Sequence, residues 1–445
     1  MQTHAEGQVS ATSNKCPTLD WPSPERLMVA QRGTMTKADD LMPSLVGTSI
    51  MRVLLLIGSG VVASAQIGKA IISMPLIRDD FALGLDLAGL IVAIFATLGA
   101  TIGIGAGVVV SRLGVRRSLI SGMGAVAVGN VIGAGAPNEF VLLAARIIEG
   151  VGFFGVVLAI PSMLAQLVRR NARDTVMAVW SAYMPAGIML MMFAGPLLPT
   201  IGWRKFWFAN ALLASACTVL LALYAPAMST APREATSRFL AEVAAVVRRP
   251  RCLVLAFAFF AYSCQIFSLT FALPLLLTSV YKISLGAAGL LSALVLAVST
   301  IGHVSSGFLL RAGVPIWTSI AAAFLFFAFS AFAIYGGVLA AQGTLLIAAL
   351  ALGIGGLAPG AIYAAAPHAA PGPSAVPPTI GLVQQASNLG QFAGPVTLGL
   401  WVDHLGWQAA PAIVAPVALF GLAAALVRVS LSQRAASEVT ASVRD

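Results

Sequence analysis

Twelve continuous apolar runs, each long enough to cross a lipid bilayer, constrain this chain more than any other feature. They fall at about 50–77, 87–110, 118–136, 140–167, 175–199, 206–227, 252–278, 286–310, 317–337, 343–366, 379–401 and 409–429. A helix takes about 20 apolar residues to cross the hydrocarbon core. In that medium only helices and closed barrels satisfy every backbone polar group. The runs are continuous rather than alternating, which excludes a barrel. The expected fold class is therefore an all-α membrane protein with twelve transmembrane helices. Composition agrees, because 9% of the 445 residues are charged, against about 25% in a soluble domain. So few charges do not cover the surface of a soluble enzyme or nucleic-acid binder of this length.

The positions of the cations set the topology. With the N-terminus inside, the inner loops and C-terminal tail hold fifteen arginines, among them Arg112, Arg116, Arg117, Arg169, Arg170, Arg248, Arg249 and Arg251. The outer loops hold four cations: Arg78, Arg204, Lys205 and Lys282. Both termini are expected on the cytoplasmic side, and the net charge of +10 is a topology signal rather than a nucleic-acid footprint. Residues 1–48 read as a disordered cytoplasmic tail without a signal-peptide layout. Met35 or Met42 serves equally well as a starting methionine. Cys16, Cys217, Cys252 and Cys264 lack metal-ligand spacing, so no metal site, disulfide framework or cofactor is expected.

The polar stretch 229–251, with five arginines, divides six spans from six. The two parts repeat. Ala88-Gly89-Leu90 recurs as Ala288-Gly289-Leu290, Gly107 as Gly307, and Gly150-x-Gly152 as Gly353-x-Gly355. Phe193-Ala194-Gly195-Pro196 recurs as Phe392-Ala393-Gly394-Pro395, and Gly202-Trp203 as Gly406-Trp407. The offsets stay between 199 and 204 residues. The expected organisation is a half over 49–228, a cytoplasmic linker over 229–251, a parallel half over 252–430 and a tail over 431–445. Duplication of this kind puts a binding site between the halves.

Between spans two and three the chain reads Gly107-Val-Val-Val-Ser111-Arg112-Leu-Gly114-Val115-Arg116-Arg117. This resembles the signature loop of the major facilitator superfamily. Arg146-Ile-Ile-Glu149-Gly150-Val-Gly152 in span four is similar to that superfamily's second motif. The resemblance covers roughly residues 50–430 and implies the major facilitator fold. It also implies that Gly107, Ser111, Arg112, Gly114, Arg116 and Arg117 form a gating loop. Ser111 replaces the usual acidic residue and Val115 a usual basic one, so the charge latch of the family is altered here. Independently of any family, glycines at 107 and 114 permit close helix contact and a tight turn. The arginines suit the negative inner leaflet.

A charge inside the bilayer costs about 2.5–3.5 kcal/mol on insertion scales and needs a role or a partner. Lys69 in span one and Arg146 and Glu149 in span four lie about 10–15 Å below the outer surface at 1.5 Å per residue. In the family both spans line the cavity, so Lys69 and Glu149 are expected to meet. Two roles stand open. Glu149 titrates as the coupling proton's carrier, with Lys69 and Arg146 tuning it, or the three form a permanent brace.

Span eleven carries Gln384, Asn388 and Gln391 at i, i+4, i+7, a single polar stripe. With Gln66, Lys69, Tyr183 and Gln265 they make the candidate substrate site, since amides suit a neutral or zwitterionic ligand. Interhelical hydrogen bonding is the competing role. His303 in span eight is a further candidate relay, and His368 is expected at the interface. Pro161, Pro185, Pro196, Pro274, Pro359 and Pro395 are candidate kinks. Gly195-Pro196 and Gly390-x-x-x-Gly394-Pro395 resemble part of the superfamily's antiporter motif.

No G-x-x-x-x-G-K-[ST] loop is present, so direct ATP coupling is not expected. An intramembrane enzyme would have to be built on Lys69, Arg146 and Glu149 alone. The expected activity is proton-coupled export of a small organic molecule, such as a siderophore, metabolite or drug, by alternating access. The alternative is proton-coupled uptake of a small organic anion clamped by Lys69 and Arg146. The stretches 146–167 and 177–190 resemble a bacterial branch of the superfamily that includes siderophore and metabolite exporters. This resemblance implies the bacterial inner membrane; a monomer is expected, with small-molecule substrate, protons and lipid as partners.

Overall fold

The computed structural model describes residues 47–103, 113–168, 176, 179–180, 182–226, 236–372 and 375–442. Residues 1–46 of the tail expected over 1–48, and Gly107, Ser111 and Arg112 of the expected gating loop, lie outside them; Gly47 and Thr48 begin the first helix. Span one is Gly47–Phe81. Span two is Leu85–Ala93, a 3-10 turn over Ile94–Ala96, then Thr97–Ile102. Span three is Val115–Ala134 and span four Glu139–Leu167. Span five includes Tyr183–Phe193, a 3-10 turn over Gly195–Leu197 and Leu198–Ile201. Span six is Trp203–Tyr224. Spans seven to nine are Pro250–Ser279, Leu285–Arg311 and Ile316–Tyr335. Span ten is Ala341–Gly355 followed by Leu357–Ala369. Spans eleven and twelve are Val376–Leu405 and Pro411–Ser442.

Local chemistry explains many of these boundaries. Asn138 caps span four by accepting a hydrogen bond from the Val141 amide at 3.0 Å, and Ser284 caps span eight through the Ala287 amide. Pro196 sits in the 3-10 break of span five, and the helix of span ten restarts two residues before Pro359. Helix continues through Pro161, Pro274 and Pro395. The break at Ile94–Ala96 carries no proline.

Among the described residues, nine helices are long and apolar enough to cross a membrane on their own. Spans two, three and eleven are the exceptions. The 3-10 turn interrupts span two. Glycines and Asn130 dilute span three, and the amide stripe dilutes span eleven. These helices tolerate polar residues because neighbouring helices cover them: Asn130, Asn388 and Gln391 are all buried.

The stretch expected as a linker contains a helix, Thr236–Val247. Leu240, Val243 and Val247 fall on one helical face between the arginines, an amphipathic pattern that the polar composition of the stretch concealed. The tail expected from residue 431 continues span twelve as helix to Ser442.

The duplication is visible in the backbone. Ala82 and Lys282, 200 positions apart, both adopt left-handed conformations, with φ of 52° and 56°. Gly114 and Gly313 pair likewise at 87° and 89°. The repeated motifs also meet crosswise. Gly89 in span two packs against the Pro395 carbonyl in span eleven, where a side chain would collide with backbone. Its copy Gly289 in span eight packs against Met192 and Gly195 in span five, and Gly286 against Pro196. At the same end, the Asp403 carboxylate of span eleven accepts the Leu85 amide at the start of span two, at 2.7 Å. A carboxylate at a helix N-terminus satisfies an orphan donor and opposes the positive end of the dipole. Spans two and eleven, and spans five and eight, are thus sealed at the end expected to face outward.

The close approach at Gly289 gives a direct test. A Cβ there would stand 2.7 Å from the Met192 carbonyl and 3.0 Å from the Gly195 Cα, whereas one at Gly124 meets only Thr218 Cγ2 at 3.8 Å. Gly289→Ala is expected to lower the melting temperature in detergent, with a cost of about 1–3 kcal/mol from overpacking. Gly124→Ala is expected to leave it unchanged or raise it, since alanine is the better helix former. Equal melting temperatures would refute the packing of this seam.

Candidate functional site

Lys69, Arg146 and Glu149 meet in one fully enclosed cluster. The Lys69 ammonium donates to Glu149 Oε1 at 2.6 Å and to Asn130 Oδ1 at 2.7 Å. It lies 3.6 Å from the centroid of the Trp207 ring. Arg146 Nη1 donates to Glu149 Oε2 and, at 3.0 Å, to the Gln66 carbonyl. Its Nε donates to the Ile91 carbonyl at 3.2 Å, and the guanidinium lies over Phe95. All three charged side chains have 0% exposure. The cluster therefore ties spans one, two, three, four and six together.

Two cations face one carboxylate here. The aromatic faces of Trp207 and Phe95 add attraction to the excess positive charge. Arg146 Nη2 and Gln66 Oε1 have no hydrogen-bond partner among the described residues. Gln66 Nε2 turns back to the Val62 carbonyl of its own helix. Both oxygens of Glu149 are occupied, so the arrangement holds a carboxylate against two cations and braces spans one and four.

A separate cavity of about 200 Å³ lies between span five and spans seven, eight, ten and eleven. Tyr183 enters from span five, Tyr262 from span seven, His303 from span eight and Tyr363 from span ten. Gln384 and Gln391 enter from span eleven. Tyr183 stacks on Trp180 with ring centroids 4.2 Å apart. Trp180 in turn covers Gly60 of span one. Span one also reaches span five through Ser64, which donates to the Tyr183 carbonyl at 2.8 Å. None of the described residues lining the cavity is an Asp, Glu, Lys or Arg.

The candidate residues thus divide. Tyr183, Gln384 and Gln391 line the cavity. Lys69 and Gln66 belong to the enclosed cluster and do not line it. Gln265 donates to the Val414 carbonyl of span twelve at 2.8 Å, an interhelical hydrogen bond. Asn388 turns from the stripe to Gly99 of span two and donates to the Gln384 carbonyl. In the first turn of span three, Arg116 donates to the Ala222 and Ala225 carbonyls and so caps the end of span six, while Arg117 is exposed. Tyr262, Ser263 and Tyr363 were not singled out from the sequence. The signal available in span seven was the run Tyr262, Ser263 and Gln265 within an apolar stretch.

The family model described as Major Facilitator Superfamily matches residues 55–340. A multidrug transporter of that superfamily from Aspergillus fumigatus, mfsC, is 26% identical over 166 residues. That match spans 36% of this chain and about a third (32%) of the relative's length. Two crystal structures of a bacterial homologue of the human lysosomal transporter Spinster share the fold. The inward-facing unoccupied form has a TM-score of 0.66 at 15% identity, covering 86% of this chain and 94% of that one. The inward-facing occupied form gives 0.65 at 16% identity, covering 88% and 96%.

The cluster's burial sets its energetic importance. Glu149→Ala leaves two buried cations unpaired and is expected to cost about 3–5 kcal/mol. Asp80 pairs with Arg204 at 3.0 Å near the surface, with side chains 44% and 41% exposed. Asp80→Ala is expected to cost about 0–1 kcal/mol. Denaturant titration of both variants in detergent reads the difference directly.

Proposed function

The chain belongs to the major facilitator superfamily, and on that premise we propose that it is a secondary transporter exporting a small organic molecule by alternating access, driven by protons. The observation that carries this reading is the cavity between span five and spans seven, eight, ten and eleven, closed off by the glycine-lined seams at the end expected to face outward. Opening that end requires the crosswise contacts of Gly89 with Pro395 and of Gly289 with Gly195 to part together. Rocking of one repeat against the other does this. The similarity to a relative named as a multidrug transporter supports export. So does the Gly-Pro pattern of spans five and eleven.

The cavity favours a small metabolite over a siderophore, because drug-sized sites occupy about 300–1,000 Å³. The enclosed cluster is the proposed coupling site. A proton taken up on Glu149 Oε1 removes the acceptor used by Lys69 and loosens span one from span four. Span one contacts span five, and span five supplies Tyr183 to the cavity, so the proton's arrival is communicated to the substrate site. Both termini face the cytoplasm in this reading.

A pH-gradient assay in proteoliposomes tests it. Wild-type protein is expected to move protons against substrate flux. Glu149→Gln is expected to abolish net proton movement while substrate exchange persists. Normal coupling in the variant would reduce the cluster to a brace. Absence of flux in wild type for every small molecule tried would sink the transport reading.

A further inference from the structure

We propose that the cavity binds an uncharged compound built on a single aromatic ring that carries a hydrogen-bond donor and acceptor side by side, in the manner of a carboxamide. The proposal deepens the transport reading above by naming the substrate class, and it rests on that reading for its biological use.

The walls come first. Phe259 sits edge-on to Tyr363, with centroids 5.3 Å apart and planes at 84°, and packs against Tyr262 at 5.9 Å. With Tyr183 opposite on span five, the cavity is an aromatic slot. Aromatic pairs prefer such edge and offset contacts, and about 200 Å³ accommodates one ring with a short substituent but not a drug-sized molecule.

The hydrogen-bond inventory then fixes which groups are left for a ligand. His303 Nδ1 lies 2.8 Å from the Ser299 carbonyl, which only accepts, so Nδ1 carries the proton. In the neutral ring Nε2 is then an acceptor, and the Tyr262 hydroxyl 3.3 Å away donates to it. The Tyr363 hydroxyl donates to Gln384 Oε1 at 2.5 Å. Its proton is therefore used, and its oxygen remains an acceptor. Gln384 Nε2 has no hydrogen-bond partner among the described residues and remains a donor. A donor and an acceptor thus stand together at the mouth of the slot. A carboxamide answers both, giving its carbonyl to Gln384 and its N–H to the Tyr363 oxygen.

Charge selects against the alternatives. A carboxylate ligand would be desolvated with no Lys or Arg among the described lining residues. An ammonium would find aromatic faces but no Asp or Glu.

The test uses the full chain in lipid nanodiscs, with calorimetric titration of benzamide, benzoate, benzylamine and cyclohexanecarboxamide. Benzamide is expected to bind at least about tenfold more tightly than each of the other three, a difference of about 1.4 kcal/mol. Gln384→Leu and Tyr363→Phe are each expected to weaken benzamide by about three- to tenfold, the worth of one hydrogen bond. Unchanged melting temperatures show that both variants are folded. The proposal is overturned if benzamide does not bind, if any of the other three binds as tightly, or if both variants bind like wild type. Labelled benzamide in proteoliposomes separates the two readings. Benzamide binding with no flux of it or of any other small molecule tried would sink transport and keep the ligand class. Flux of benzoate without benzamide binding would sink the ligand class and keep transport.

Discussion

The two-sided pairing of Glu149 is the interaction on which five of the first six spans depend. One carboxylate accepts from Lys69 on one oxygen and from Arg146 on the other. Lys69 then reaches spans three and six through Asn130 and Trp207, and Arg146 reaches span two through Ile91 and Phe95. Helices in a bilayer gain little from burying apolar surface against one another, because lipid is equally apolar. A charged network that lipid cannot satisfy is a stronger reason for particular helices to stay together. It also explains how span three can carry Asn130 and span six Trp207 at fully buried positions.

The second six spans are organised differently. They contain no comparable ion cluster among the described residues, and their buried polar side chains are amides, hydroxyls and the thiols of Cys252 and Cys264. Gln265 bridges to span twelve, Ser263 pairs with Ser387 at 2.8 Å, and Tyr262 meets His303. Uncharged groups of this kind cost less to leave open to a cavity than charges do. The proposed division of labour follows from that difference. The charged half holds the proton site away from the substrate, and the neutral half forms most of the substrate's walls. Span five belongs to the first half and lines the cavity of the second. Its contacts with span one make it the connection between the two.

The seam at the end expected to face outward shows how an old duplication is used. Gly89 and Gly289 occupy equivalent places in the two repeats, and each packs against the Gly-Pro segment of the other repeat. Asp403 adds a contact on one seam that its counterpart lacks, since the equivalent place in the first repeat holds Pro199. The two seams are therefore related in shape but unequal in polarity.

Span number, helix class, the duplication and the pairing of Lys69 with Glu149 were all legible in the sequence. The first three follow from local rules, the length of apolar runs and the offset between repeats; the pairing combined the cost of an isolated charge in lipid with the placement of spans one and four that the family resemblance implied. The reading of the amides was less complete. Gln384, Asn388 and Gln391 share one helical face by periodicity, yet Gln384 and Gln391 meet the cavity while Asn388 meets Gly99. Periodicity gives the face of a helix but not which neighbour covers each turn of it, and span two crosses span eleven at that height. Tyr262 and Tyr363 escaped notice for the same reason, because an aromatic residue in an apolar helix looks like packing until its neighbours are known. What the sequence determined by itself was which residues had to be buried in a membrane and in what order. Which buried polar groups face each other and which face a cavity was decided only by helix packing, because those contacts join residues up to 318 positions apart.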